Sequence, residues 1–352
     1  MTIEMTTETD QPSFTLHDDE SDEQYWCQND KLHRDGDKPA NIKHDKNGTI
    51  RAERWFQHGK YHRDGDQPAY ITYYKDGTVS AKRWCQHGKL HRNGDQPACI
   101  TYGEDGTISY QHWYQHEKLH RDGDQPAYIS YYKDGTVSAK RWFQNGLSHR
   151  DGDQPACISY GEDGIVRVER WFQNGLTHRD VDEPSVNMYT KEGVISIQFW
   201  CQHGKRHRDV DKPSDITYEK DGSVFIQTWY QHDVIHRDGD QPAYITYYKD
   251  GTVSVKNWYQ HGKLHRDGDK PAYIGYNEDG TFRVQEWKQN GILHRDGDKP
   301  AFIIWDEGKC SQMWYQHGKH HRENGPKFIC YEKDSEMSTD EIYVENTVLI
   351  EA

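Results

Sequence analysis

The stretch DQPAYITYYKDGTVSAKRW, from Asp66 to Trp84, decides the fold. After its proline comes a run of aromatic and β-branched residues, which is typical of a β-strand. The pair Asp76-Gly77 follows and predicts a type I′ hairpin turn. Residues 79–86 are then expected to form one return strand, and a second hairpin turn follows at residues 87–89, so that each unit is a pair of hairpins. The stretch therefore predicts an antiparallel hairpin and no helix.

The same sequence pattern recurs about eleven times along the chain. Ten tryptophans stand 29 residues apart and an eleventh follows 27 residues later: Trp26, Trp55, Trp84, Trp113, Trp142, Trp171, Trp200, Trp229, Trp258, Trp287 and Trp314. A fixed period of this size indicates one supersecondary unit stacked on itself. The sequence therefore predicts an all-β fold, an elongated antiparallel β-hairpin repeat array (a meander or a solenoid) of about eleven 29-residue units.

The limits of the repeats define three segments. Residues 1–24 are an acidic N-terminal arm, which we expect to be flexible or to dock on a neighbouring molecule. Residues 25–330 are the 29-residue β-hairpin repeat array. Residues 331–352 are a C-terminal tail, in which EIYVENTVLI (Glu341 to Ile350) predicts a capping strand over the terminal edge of the array.

The composition favours a thin structure and excludes some classes of partner. Hydrophobic residues make up 33% of the chain and aromatic residues 13%, so we expect aromatic and polar contacts instead of a thick aliphatic core. The formal net charge of -14 argues against nucleic acid as a partner. No stretch resembles a signal peptide or a transmembrane segment, and the odd cysteine count argues against a disulfide framework. We expect synthesis inside a cell, without membrane insertion.

The segment WYQHGKLHRDGDKPAYI, from Trp258 to Ile274, and its copies resemble the MORN-like repeats that are abundant in large DNA viruses of amoebae. The resemblance covers roughly residues 25–331 and rests on the wording HRDGDxPA. It implies a chain of β-hairpins in an elongated twisted sheet. It also implies a scaffolding or interaction role, with the host cytoplasm and the virion as locations. The unit is longer than an ordinary MORN repeat and the chain is acidic, so phosphoinositide binding is not carried over.

The recurring motif His-Arg-Asp, as at His62-Arg63-Asp64, has the wording of a kinase catalytic loop. A kinase also needs a downstream Asn, a glycine-rich loop and a metal-binding Asp, and the sequence does not supply them. We therefore predict no enzymatic activity and no cofactor. Each arginine is expected to bind carboxylates of its own or an adjacent unit. The predicted structural ladders are Trp55, Trp84, Trp113, Trp142 and Trp171, Gln57, Gln86 and Gln115, and Arg63, Arg92 and Arg121.

The Asp-Gly-Asp loops are the main candidates for a metal site. Clustered carboxylates suit a hard cation such as Ca²⁺, and the candidate ligands are Asp64, Asp66, Asp122, Asp124, Asp151 and Asp153. A tight loop with glycine at positive φ is the simpler interpretation, because no unit has the DxDxDG pattern with a downstream Glu. The second-turn histidines, such as His58, are replaced by Asn145 and Asn174 in other units. A turn-forming polar residue explains both types better than zinc does.

The repeat pattern fails most between Leu176 and Phe225. The loop glycine becomes valine there, the Pro-Ala step becomes Pro-Ser, and the strand pattern is disturbed. Relaxed selection, a bend in the array or a partner-specific patch would explain these changes. The residues of this candidate partner patch are Val181, Ser185, Met188, Val210, Ser214 and Asp215.

Two functions remain open on the sequence alone. The first is a non-enzymatic structural or scaffolding protein that self-associates, as a homo-oligomer or a layered assembly, or bridges other virion proteins. The alternative is a ligand-binding repeat module that recognises glycans or quaternary amines through aromatic rows.

Overall fold

The computed structural model of the chain describes residues 2–5, 11–180, 182–209, 211–306 and 308–332. The chain divides into two compact units, Met1–Leu176 and Thr177–Ala352, and each contains a large antiparallel sheet. The described residues contain strands and turns but no helix, so no helix among them is able to cross a membrane. The predicted all-β hairpin repeat fold is confirmed.

In the first unit each sheet strand pairs antiparallel with the next, so the sheet is a meander. The register places Tyr70 opposite Arg83, and Arg83 opposite Cys99 in the following repeat. The strands are Thr2–Met5, Phe14–His17, Ser21–Tyr25, Asn41–Asp45, Ile50–Arg54, Tyr70–Tyr73, Val79–Arg83, Cys99–Tyr102, Ile108–His112, Tyr128–Tyr131, Val137–Arg141, Cys157–Tyr160 and Val166–Arg170.

The sheet of the second unit is a meander of the same kind. Its strands are Val186–Tyr189, Ile195–Phe199, Asp215–Tyr218, Val224–Thr228, Tyr244–Tyr247, Val253–Asn257, Tyr273–Tyr276, Phe282–Glu286, Phe302–Asp306, Lys309–Met313 and Phe328–Glu332.

The sheet of the first unit begins inside the acidic N-terminal segment. Phe14–His17 pairs with Ser21–Tyr25, and the rings of Phe14 and Tyr25 stack with centroids 4.7 Å apart. These strands therefore belong to the sheet, although the repeat wording starts only at residue 25. At the other end, the strand Phe328–Glu332 runs past residue 330. The capping strand predicted from Glu341 to Ile350 lies outside the described residues.

The hairpin turns in the sheets are not the predicted type I′ turns. Gly77 has φ of 86°, whereas Asp76 stays at negative φ. The Asp76 carboxylate accepts hydrogen bonds from the backbone N–H and the hydroxyl of Thr78, at 2.9 and 2.7 Å. A side chain that bonds two residues ahead stabilises a type I turn, and the following glycine supplies the left-handed residue.

The return strand also differs from the prediction, because it breaks at the tryptophan. The sheet strand Val79–Arg83 ends there and a separate short strand, Cys85–Gln86, begins after it. Between them, the N–H of Trp84 donates to the carbonyl of Ala98, and the carbonyl of Trp84 accepts from the N–H of His91. The first bond continues the register of Arg83 opposite Cys99, and the second belongs to the short hairpin that follows, so each tryptophan joins the sheet to that hairpin.

After the tryptophan each repeat forms a small two-stranded hairpin, which we call the ribbon. Its turn is of type I′: in the ribbon of residues 56–61, His58 and Gly59 both have positive φ, 49° and 79°. The ribbons of the first unit are Cys27–Gln28 with Lys31–Leu32, Phe56–Gln57 with Lys60–Tyr61, Cys85–Gln86 with Lys89–Leu90, Tyr114–Gln115 with Lys118–Leu119, and Phe143–Gln144 with Leu147–Ser148. Two further short strands are Phe172–Gln173 and Leu176–Thr177. Those of the second unit are Cys201–Gln202 with Lys205–Arg206, Tyr230–Gln231 with Val234–Ile235, Tyr259–Gln260 with Lys263–Leu264, Lys288–Gln289 with Ile292–Leu293, and Tyr315–Gln316 with Lys319–His320.

The core is thin and runs along the line where ribbons leave the sheet. Trp55, Ala69 and Cys85 form one buried cluster, with Tyr61 and Ile71 packed against it. Ala69 is completely buried, which explains why a small residue, in most repeats alanine, follows the proline: a larger side chain has no room there. This arrangement agrees with the expectation of aromatic and polar contacts instead of a thick aliphatic core.

Candidate functional site

The most regular polar feature is a bridge between an arginine and an aspartate of the preceding repeat. Arg92 donates from Nε and Nη2 to the two carboxylate oxygens of Asp66, with both distances 2.6 Å. Its Nη1 donates to the carbonyl of Pro97 at 3.2 Å, and its guanidinium lies 4.0 Å from the centre of the Trp84 ring. One side chain thus joins the carboxylate, a backbone carbonyl and the tryptophan. We call this arrangement the Arg–Asp bridge.

The Arg–Asp bridge recurs with nearly constant geometry in both units. The arginine Nε or Nη2 lies 2.5 to 2.8 Å from the aspartate oxygen, and the guanidinium lies 3.8 to 4.1 Å from a tryptophan ring. The bridges are Arg63–Asp37, Arg92–Asp66, Arg121–Asp95, Arg150–Asp124, Arg208–Asp182, Arg237–Asp211, Arg266–Asp240, Arg295–Asp269 and Arg322–Asp298. The arginines Arg63, Arg92 and Arg121 therefore connect consecutive repeats.

The first aspartate of each Asp-Gly-Asp loop has different partners. One oxygen of Asp64 accepts from Nε2 of Gln57 at 2.8 Å, and the other lies 3.2 Å from Nε2 of His62. These bonds lower the pKa of Asp64, with the Gln57 bond as the largest cause. Gln115 and His120 hold Asp122 in the same way, whereas the Asp position after Gln86 is Asn93.

The loops offer a poor arrangement for a cation. Asp66 and Asp124 face arginines, and Asp64, Asp122 and Asp151 face glutamine and histidine nitrogens. Asp153 also has a partner. A cation would have to displace these donors, because the arginines already neutralise their aspartates and the glutamine and histidine nitrogens already bond the others. Within the part of the chain that the structure describes, no three potential ligands among His, Cys, Asp and Glu come together as a metal site.

Stacked histidine pairs join the open end of one ribbon to the turn of the next ribbon. The rings of His62 and His87 lie 4.9 Å apart, and Nδ1 of His62 accepts the backbone N–H of His87 at 3.3 Å. The second histidine has φ of 51°, a left-handed conformation that asparagine also tolerates. Asn145 stands at the same position with φ of 51°, which explains why His and Asn exchange freely there.

The tryptophans are not available to stack on a ligand. Trp55, Trp84, Trp113, Trp142 and Trp171 are each 6 to 7% exposed, and arginine guanidinium groups cover Trp55, Trp84, Trp113 and Trp142. An aromatic ligand site would have to use tyrosines. Tyr131 and Tyr132 line an open cleft of about 440 Å³ together with Glu104, Asp105 and Lys133.

The predicted partner patch is largely closed to solvent. Ser185 and Ser214 are 1% and 0% exposed and replace the buried alanine of other repeats. The Ser185 hydroxyl accepts the N–H of Cys201 at 2.9 Å, so the serine stabilises the start of a ribbon. Met188 is half-buried. Val181 and Val210 lie outside the described residues. Buried serines cannot contact a partner, so this prediction is corrected for Ser185 and Ser214.

Asp215 is the most unusual residue of that patch. Its side chain is 13% exposed, Oδ2 lies 3.2 Å from Nη1 of Arg206, and Oδ1 is buried without a hydrogen-bond partner. Burial raises the pKa of Asp215 to about 7, although Arg206 lowers it and Asp233 raises it. Arg206 stands at a ribbon position that is Leu90 or Leu119 in the first unit. The sequence marked Asp215 as a departure but did not pair it with Arg206.

Comparisons with known proteins add little to this geometry. No protein-family model and no curated protein matches the chain. A solved structure, the crystal structure of TcdB2-TccC3-TEV, is similar with a TM-score of 0.14 and 10% identity. The match covers 92% of this chain, which spans only 19% of the other chain. So low a TM-score carries no argument about fold or function.

Proposed function

We propose that this chain is a non-enzymatic scaffold whose repeats present side chains at a constant spacing. The observation that supports it is the Arg–Asp bridge. Each bridge joins a repeat to the preceding one, as Arg63 does with Asp37 and Arg92 with Asp66. Recurring charged groups that bind one another help to fix the register of the array, which is what a scaffold with a constant spacing requires.

The scaffold acts by association, with itself or by bridging other proteins. Its exposed edges repeat the same side chains in most repeats, so weak contacts add along the array. We propose the virion of a large DNA virus as its location, on the basis of the HRDGDxPA wording in Trp258–Ile274. This location rests on the sequence resemblance alone.

Light scattering coupled to size-exclusion chromatography tests self-association. We expect a mass above the 41.5 kDa of one chain at micromolar concentration, with the excess mass falling on dilution. A monomer at every concentration, salt and pH would contradict self-association. Mass spectrometry of purified virus particles then tests the location and the bridging role. An abundant chain that cross-links to other particle proteins is expected, and its absence from the particles would contradict the virion assignment.

A glycan- or amine-binding module is the second candidate, and the cleft at Tyr131 and Tyr132 favours it. Tyrosine faces beside Glu104 and Asp105 suit a quaternary amine, because both π-faces and carboxylates attract a cation. Titration with choline and a glycan array tests this function. Binding that Tyr132→Ala removes and Tyr74→Ala leaves unchanged would support it, and absence of binding to either ligand class would contradict it.

A further inference from the structure

The ribbons and the loops that follow them form an edge of the first unit that carries two rows of exposed charges. The lysine row is the first residue after each ribbon turn: Lys31, Lys60, Lys89 and Lys118. The aspartate row is the first Asp of each loop: Asp35, Asp64 and Asp122, with Asn93 in the third repeat. The side chains of these aspartates are 82 to 85% exposed, so a partner can approach their carboxylates from the solvent side although histidine nitrogens bond one oxygen of each.

The two rows lie side by side because the same ribbon positions both. The side chain of Lys60 lies against Gly88 of the next ribbon: a Cβ on that glycine would sit 3.6 Å from the Lys60 Cβ. His62 stacks on His87, the residue next to Gly88, and holds Asp64 through Nε2. The histidine stack therefore separates the lysine row from the aspartate row.

Both rows have the same spacing. Neighbouring ribbons belong to consecutive repeats, and each repeat adds two strands to the sheet, so successive charges in a row are about 10 Å apart. The contact between Lys60 and Gly88 recurs in other pairs of neighbouring ribbons: Lys31 lies against Gly59, and Lys118 lies against Gly146. Rows of opposite charge at a common spacing form a surface that is complementary to itself.

We propose that this edge binds the same edge of a second copy of this chain about a two-fold axis parallel to the rows. The two-fold rotation places the lysine row of each copy opposite the aspartate row of the other. A second copy matches the repeat spacing over the whole edge, which is why the charge pattern favours it over an unrelated acidic or basic protein. This inference rests on the proposed scaffold function, for which it supplies the contact surface.

The fifth and sixth repeats interrupt the lysine row and so provide a sharp test. Leu147 and Leu176 occupy the lysine position and are 50% and 49% exposed. Leu147 lies against Gly175 as the lysines lie against their glycines: a Cβ on Gly175 would sit 3.4 Å from Cδ2 of Leu147. The fold therefore accepts either residue. Leu147→Lys extends the lysine row by one repeat, opposite Asp151 of the second copy.

Sedimentation velocity of the full chain at low salt measures the effect. Leu147→Lys is expected to tighten dimer formation by several-fold, because it adds two symmetry-related charge pairs. Weaker association would show that the exposed leucine is itself the contact and would overturn the proposal. Because lysine occurs at this position in four other repeats of the first unit, the variant is expected to fold normally.

The reverse change is Lys60→Glu with Lys118→Glu, matched by Lys75→Glu with Lys133→Glu in exposed sheet turns. Both double variants change the net charge equally. We expect the ribbon variant to raise the dimer dissociation constant about tenfold or more and the turn variant to leave it nearly unchanged. Raising the salt from about 0.05 to about 0.5 M should also weaken the dimer, because salt screens exposed charges.

The outcomes separate this inference from the scaffold function. Self-association that neither charge variant nor salt affects would overturn the charged contact and leave the scaffold function standing. A wild-type monomer that still cross-links to other particle proteins would do the same. A monomer without any protein partner would contradict both.

Discussion

Arg92 binds Asp66 of the preceding repeat through two parallel hydrogen bonds of 2.6 Å while its guanidinium covers the ring of Trp84. Asp66 remains 61% exposed, whereas Arg92 is 13% exposed. The arginine is therefore the buried partner. It stabilises the array through its three contacts together more than through the ion pair alone. An isolated exposed pair contributes only about 0–1 kcal/mol.

We expect Arg92→Lys to lower the free energy of unfolding by about 1–3 kcal/mol, because lysine keeps the charge but loses the two-bond geometry and the bond to the Pro97 carbonyl. Urea unfolding followed by tryptophan fluorescence measures the change. Arg170→Lys is the control, since Arg170 is exposed and has no ion pair within the described part of the chain. Equal midpoints for the two variants would show that the Arg–Asp bridge does not stabilise the array.

The ribbon turn depends on the left-handed conformation of its second residue. Gly88 has φ of 89°, so Gly88→Ala should cost about 1–2 kcal/mol of unfolding free energy. His87→Asn is the matched control, because asparagine occupies this turn position in other repeats. Its effect should stay within about 0.5 kcal/mol. Thermal unfolding of both variants is the measurement, and an alanine variant as stable as the asparagine variant would argue against the type I′ turn.

Asp215 should make the second unit less stable as the pH rises. Its pKa is about 7 in the folded chain and near 3.8 when unfolded, so the folded state binds the extra proton between these values. Stability is therefore fully present below about pH 4 and is lost as the pH rises through 7, by roughly 4 kcal/mol at most.

Asp215→Asn removes this dependence, so we expect the variant to exceed the wild type in stability at pH 8 and to approach it at pH 4. Urea unfolding at several pH values, followed for the second unit by hydrogen exchange, gives the comparison. Parallel stability profiles for the two proteins between pH 4 and 8 would contradict the raised pKa.

Asp240 shows the opposite behaviour because it has two cationic partners. Arg266 and then Lys270 lower the pKa of Asp240 to about 2, with Lys270 Nζ 2.6 Å from the carboxylate. The stabilisation is present above the unfolded pKa near 3.8 and is lost as the pH falls towards 2. NMR titration should show a higher pKa for Asp240 in Lys270→Gln. The pKa of Asp267 serves as the control, because Gln260 and His265 hold that residue instead.

The repeat period and the strand pattern could be predicted from the sequence because they rest on local signals. Aromatic and β-branched residues mark the strand Tyr70–Tyr73, and Asp-Gly marks its turn. The predicted turn type was wrong, since the Asp76 carboxylate accepts hydrogen bonds from Thr78 in a turn where only Gly77 has positive φ. The second hairpin of each repeat was expected, but its separation from the sheet was missed, because nothing local distinguishes a strand that continues from one that leaves the sheet at a tryptophan.

Side-chain contacts, too, could be predicted from the sequence only in part. Arg-to-carboxylate pairing could be expected from residue types, but the sequence left open whether Arg92 binds its own loop or the preceding one. The pairing of Asp215 with Arg206 was not predicted, although an arginine at a leucine position and an aspartate at a tyrosine position were both visible. Residues nine apart in sequence meet there only because the ribbon folds back beside the sheet.

By itself the sequence determined that the chain is an all-β array of hairpins with a 29-residue period, because periodicity and turn residues act over short distances. Only the tertiary structure decided which groups face one another. In the structure Ser185 and Ser214 are buried, the guanidinium of Arg92 covers Trp84, and the lysine row lies beside the aspartate row. These relationships depend on where one repeat lies against the next, and that position is set by the strand pairing between repeats together with the Arg–Asp bridges and the ribbon turns.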